Sequence, residues 1–144
     1  MGGRPRRPAR WHRAPSVILV DTSAWVEFLR DTGSPTCRRV EELLATEVAT
    51  TDVVVMEVLA GARDEAHLGL LHRLLLRCSR IGSQPGDFED AASIWRMCRR
   101  GGETIRALTD CLVAAAAMRA RVPVCHADRD FEVIARHVPL RLDR

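Results

Sequence analysis

The chain has 144 residues, 47% hydrophobic and 28% charged. That is the profile of one globular domain, able to bury about two thirds of the surface its unfolded chain would expose, without a disulfide or metal clasp. No apolar run approaches the ~20 residues that a membrane-spanning helix needs. The formal net charge of +3 is uneven: the first 16 residues hold Arg4, Arg6, Arg7, Arg10 and Arg13 and no acid. Without them the net charge is −2, so a nucleic-acid reading cannot rest on global charge.

Residues 1–16, rich in Arg, Pro and Gly, are expected to form a disordered basic extension, with 17–144 as the folded domain. The extension has the charge of a secretory leader but not its apolar stretch. "SVILVD" (16–21) reads as a buried strand ending in an acid. "TSAWVEFLRD" places Trp25, Phe28 and Leu29 at helical spacing. "GSP" breaks the chain, and "TCRRVEELLATE" is a second helix. "VAT" is a short strand. Thr51 or Asp52 can cap a helix running through Leu59 or Ala60, which Gly61 ends.

"DEAHLGLLHRLLLRC" is amphipathic, and a strand is expected around Ser79–Ile81. "SQPGDFEDAASIWRMCRRGG" predicts a helix with Phe88, Ala91, Ala92, Trp95 and Cys98 on one face, closed by the glycine pair. "TDCLVAAAAMRARV" is an alanine-rich helix, "VPVC" a strand, "DFEVIARH" a short helix and "PLRL" a last strand. Strands alternating with helices predict an α/β fold with a parallel sheet, whose ligands sit beyond the carboxyl ends of the strands. The five cysteines form no C-x-x-C pair, which argues against a disulfide framework or a zinc site and fits a reduced, cytoplasmic compartment.

Four places put an acid where apolar sequence or a structural break surrounds it. Asp21 ends the first strand. Glu57 interrupts "VVVMEVLAG", although a glutamate is rarely buried without a partner. Asp110 opens the alanine-rich helix. Asp128 and Asp130 follow the "VPVC" strand. Each has a plain structural alternative: Asp21, Asp110 and one of the "HADRDF" pair could be helix caps, and Glu57 could meet a buried arginine. Together they suggest one crowded face. Crowded carboxylates raise one another's pKa, and a hard divalent cation removes that conflict. Such a cation can activate water and stabilise charge on a phosphate.

"VILVDTSAWVEFL", "VVVMEVLAG", "TDCLVAAAA" and "VCHADRDFEVIA" resemble, in order, the four motifs of PIN-domain ribonucleases. The length and the "DTSAW" opening resemble the VapC toxins of type II toxin–antitoxin pairs. The resemblance implies a PIN-like three-layer sandwich, with a short parallel sheet between helices. It implies a Mg²⁺- or Mn²⁺-dependent endoribonuclease that cleaves structured RNA, most often a tRNA loop, by metal-activated water. Asp21, Glu57, Asp110 and Asp128 match the family's catalytic, metal-binding acids, and Asp130 is a further acid of the fourth motif. Ser23 matches a hydroxyl that orients the first aspartate, and Thr109 is expected to do similar work. His126 stands where threonine is usual and is expected to be a hydrogen-bonder beside the acids rather than a ligand.

Arginines must line the rim to admit a polyanion, and Arg106 and Arg129 lie near the motifs. The resemblance also implies a homodimer and a VapB-type antitoxin. Trp25, Phe28 and Leu29, or the Leu68–Leu76 face, could give that partner an apolar groove. Rival readings fare less well. A haloacid-dehalogenase-like phosphatase wants a second aspartate where Ser23 stands, and also a lysine, a residue this chain lacks. A response-regulator receiver wants that lysine too. A catalytically inactive PIN-like binding module would be expected to have lost motif acids, and all are present.

Overall fold

The computed structural model describes residues 17–144. The expected disordered extension at 1–16 lies outside the described residues. Four short strands form one parallel sheet: β1 (Ile18–Val20), β2 (Val48–Thr51), β3 (Ser79–Ile81) and β4 (Val124–Cys125), in the order β3-β2-β1-β4. Leu19 pairs with Ala49 on one side and Val124 on the other. Parallel neighbours need long crossovers, and each crossover here contains two helices. These are α1 (Thr22–Leu29) and α2 (Pro35–Leu43), then α3 (Asp52–Ala60) and α4 (Glu65–Leu76), then α5 (Pro85–Arg100) and α6 (Leu108–Ala120). Helix α7 (Arg129–His137) follows β4. The architecture is the α/β sandwich that the strand–helix alternation predicts.

Local chemistry explains the boundaries. The Ile-Leu-Val run of β1 is buried throughout, as a central parallel strand requires. Ser34 accepts the Cys37 N–H at 3.0 Å, and Pro35 opens α2 where a missing N–H costs nothing. Thr51, not Asp52, caps α3 by accepting the Val54 N–H at 3.3 Å. On α6, Ala114, Ala115, Ala116 and Ala117 are all buried, and their small side chains let the helix approach its neighbours closely. Trp25 and Phe131 are the bulkiest side chains of the core. All five cysteines are free thiols, and no helix among the described residues is long and apolar enough to cross a membrane.

Three expectations are corrected. The buried stripe of α5 is Asp87, Ala91, Ile94 and Cys98, with Phe88 and Ala92 exposed and Trp95 half-buried. The cause is Arg119 of α6, which forks onto the Asp87 carboxylate at 2.8 and 2.9 Å and makes its burial tolerable. "PLRL" forms only a single parallel bridge, Leu142 to Val124. Its partner β4 is two residues long, and Leu140 spends its N–H on the Val138 carbonyl at 2.8 Å. Trp25 is fully buried, packed edge-on against Phe28 at 6.1 Å between centroids, so it belongs to the core rather than to any groove.

Candidate active site

The sheet order reverses at β1, where the chain leaves for β2 and later returns on the opposite side as β4. Such a switch point opens a crevice beyond the carboxyl ends of the two strands. Asp21 is the first residue beyond β1, and Asp128 follows β4 by three positions. The Asp21 N–H donates to the Cys125 carbonyl at 2.9 Å, which keeps the two exits side by side.

Ser23 completes that junction. Its Oγ donates to Asp21 Oδ2 at 2.7 Å and accepts the Ala127 N–H at 2.9 Å. Asp21 Oδ2 also accepts the Ser23 N–H at 2.9 Å, so Asp21 is both the cap of α1 and a fixed carboxylate at the crevice. Burial raises the Asp21 pKa, the Ser23 hydrogen bonds oppose the rise, and the charge of Asp128 adds to it.

Glu57 leans in from α3. It is half-buried, and its partner is Thr22, whose hydroxyl donates to Oε1 at 3.1 Å, not a buried arginine. Desolvation raises its pKa, Thr22 moderates the rise, and the Asp21 charge reinforces it. Thr22 is the contributor that sequence reasoning missed, although it lies inside the "DTS" turn.

Asp110 sits in the first turn of α6 without capping it, since the helix begins at Leu108. It is buried, and its Oδ2 has no hydrogen-bond partner. Burial first, then the charges of Asp21, Asp128, Asp130 and Glu57, push its pKa from 3.8 up to about 8. The expected helper Thr109 makes no hydrogen bond to these acids among the described residues. Asp128 caps α7, its Oδ1 accepting the Asp130 N–H at 2.9 Å. One carboxylate oxygen from each of Asp110, Asp128 and Asp130 lies within 4.8 Å of the other two. His126 reaches none of these carboxylates. Its Nδ1 accepts the Asp128 N–H at 3.2 Å, and its ring packs on Phe131 at 5.2 Å.

Arg106 stays exposed and lays its side chain across two of the acids. Its N–H donates to Asp130 Oδ2 at 2.9 Å and its Nη2 to Asp128 Oδ1 at 3.1 Å. Arg129 is exposed. The donor set is thus all carboxylate oxygen, with one buried oxygen left without a partner. That chemistry fits a hard divalent cation such as Mg²⁺ or Mn²⁺ and not a soft or borderline one. Asp21, Glu57, Asp110, Asp128 and Asp130 are the residues that could hold it.

Beside Glu57, a groove of about 360 Å³ runs between α1, α3 and α4. Val26, Leu29, Val58 and Leu71 supply its apolar lining, and Arg30 and Arg63 line it as well. Of the leucines on α4, Leu71 and Leu75 are buried, whereas Leu70 and Leu76 are exposed.

The PIN domain family model matches residues 18–137. Ribonuclease VapC11 of Mycobacterium tuberculosis is 44% identical over 124 residues, covering 83% of this chain and 92% of that protein. Ribonuclease VapC51 of the same organism is 33% identical over 119 residues, covering 81% and 84%. Among solved structures, VapBC2 from Rickettsia felis, bound to a DNA fragment from its promoter, gives a TM-score of 0.71 at 17% identity, covering 88% of this chain and 97% of that one. Mycobacterium tuberculosis VapC20, described as a sarcin–ricin loop cleaving toxin, gives 0.63 at 20% identity, covering 86% and 98%. The fold, the ordered acid motifs and these relatives agree: the chain belongs to the PIN-domain family, within its VapC ribonucleases.

Proposed function

We propose that this VapC-family ribonuclease is a Mg²⁺- or Mn²⁺-dependent endonuclease that cuts a structured RNA loop, a tRNA loop being the expected substrate. The observation that carries the reading is the partnerless, buried Asp110 Oδ2 among the carboxylates of Asp21, Glu57, Asp128 and Asp130. So many acids at one crevice repel one another, and a divalent cation gives that arrangement a purpose. Bound there, the cation supplies a nucleophile from water and stabilises charge on the phosphate.

The chain's own groups do the rest. Ser23 fixes the Asp21 carboxylate, and Thr22 orients Glu57. Asp110 presents a free oxygen from the first turn of α6. His126 accepts the backbone N–H of Asp128 and so steadies the turn that carries it. Arginines at the mouth contact RNA phosphates, which makes binding salt-dependent. Single-stranded loops are the usual targets of sequence-specific RNA recognition, and VapC20 is itself described as cleaving the sarcin–ricin loop.

A VapB-type antitoxin and a second copy of the chain complete the same reading. Structural neighbours include VapBC complexes, and the groove bounded by Val26, Leu29 and Val58 suits an amphipathic segment. Residues 17–144 form the working unit in a cytoplasmic setting, and the arginine-rich 1–16 is dispensable. The test is to sequence the RNA ends made by the wild-type protein and by Asp21→Ala, each with Mg²⁺ and with chelator. Fragments with 5′-phosphate and 3′-hydroxyl ends, made only by the wild type with Mg²⁺, are expected. Identical fragments from both proteins, or 2′,3′-cyclic phosphate ends, refute the reading.

A further inference from the structure

Arg106 lies in the connection between α5 and α6, and its position is set from the backbone outward. Its main-chain N–H donates to Asp130 Oδ2 at 2.9 Å, which anchors the residue over the acids. From that anchor the guanidinium folds back. Nη2 reaches Asp128 Oδ1 at 3.1 Å, and Nε stands 3.5 Å from Asp130 Oδ1. No other arginine is ion-paired to Asp110, Asp128 or Asp130 among the described residues.

The two partners differ in freedom. The Arg106 side chain is 68% exposed, whereas that of Asp130 is 2% exposed. The guanidinium can therefore withdraw into water while the carboxylate stays. An ion pair with one exposed partner is weak, and a guanidinium keeps its charge at any physiological pH. A permanent single charge thus rests, on a loose tether, upon two of the acids that suit a doubly charged cation.

We propose that Arg106 is a built-in counter-cation of the acid cluster. It offsets part of the charge of Asp128 and Asp130 in the cation-free protein and competes with the divalent cation for them. Once displaced, it is free at the mouth of the crevice to meet an RNA phosphate. This rests on the cation-site reading above. The backbone contact to Asp130 does not depend on the side chain, so substituting Arg106 removes the competing charge and leaves the anchor.

The experiment measures Mn²⁺ binding, by electron paramagnetic resonance of the free ion, to the wild type, Arg106→Gln and Arg106→Lys. Arg106→Gln is expected to bind Mn²⁺ about two- to fivefold tighter, the size of effect an exposed ion pair carries. Arg106→Lys keeps the charge and should stay near the wild type. In an Asp21→Asn background that does not cleave, Arg106→Gln should also flatten the salt dependence of RNA binding by about 0.7 in log–log slope, the value of one phosphate contact. Unchanged or weaker Mn²⁺ binding in a natively folded Arg106→Gln overturns the inference and leaves the cation site standing. An unchanged salt slope overturns the phosphate contact. A wild type that binds no Mn²⁺ overturns both the cation site and this role for Arg106.

Discussion

Replacing Asp110 with asparagine should stabilise the cation-free protein, and more so as pH rises. Unfolded, this carboxyl ionises near pH 3.9; folded, burial and four neighbouring acids hold its proton until about pH 8. Between those values the folded state binds more protons than the unfolded one, so stability falls with rising pH and the loss is complete above 8. Four decades in proton affinity, at 1.36 kcal/mol each, set a ceiling of about 5–6 kcal/mol. Solvent reaches the crevice, so about half of that, 2–3 kcal/mol, is expected at pH 8 and under about 1 kcal/mol at pH 5. Asparagine matches the shape and cannot ionise. Urea unfolding in EDTA at pH 5, 6.5 and 8 reads the gap between variant and wild type directly. Excess Mg²⁺ should reverse its sign, because the cation binds and so stabilises the protein with the full set of charged groups more strongly. A gap that ignores pH, or an Asp110→Asn protein less stable than the wild type in EDTA at pH 8, refutes the account of Asp110 as an uncompensated buried acid.

Glu57→Gln should lower RNA cleavage by about 10²-fold or more, since a catalytic cation supplies several kcal/mol. Its melting temperature should hold, because the amide oxygen can still accept the Thr22 hydroxyl; a large drop in melting temperature would mark Glu57 as structural. Ser23→Ala removes a hydroxyl that serves Asp21 and the Ala127 N–H together. It should cost about 2 kcal/mol in urea unfolding and slow cleavage as well, and loss of stability alone would make Ser23 only a structural joint. Arg119→Ala strands the buried Asp87 carboxylate between α5 and α6. About 3 kcal/mol is expected, recovered in part when Asp87 is also replaced by alanine; no recovery would show that lost packing, not the stranded charge, dominates.

How legible the site was depends on what each residue's position rests on. Asp21 and Asp128 stand at strand exits, and a parallel sheet brings such exits to one edge, so their meeting follows from the alternation of strands and helices. Glu57 was conspicuous because its neighbours are apolar. Thr22 was not, since its contact with Glu57 crosses 35 residues and depends on how α1 and α3 lean together. Arg106 shows the same limit: its nearness to the motifs was visible, but its pairing with Asp128 and Asp130 follows from a backbone contact to Asp130. Helix α5 misled for a further reason. Ranking positions by hydrophobicity selects Phe88, whereas the chain buries Asp87, because an arginine on α6 neutralises it.

The acids at the crevice are spread through the chain from Asp21 to Asp130, and the sheet edge they share closes only when β4 has paired with β1. A ribosome adding about 5–20 residues per second needs roughly 5–20 s to pass from the first of these acids to the last. A growing chain therefore cannot bring all of these acids together until residue 130 has been made. The order of the elements thus works as a delay on assembly of the crevice.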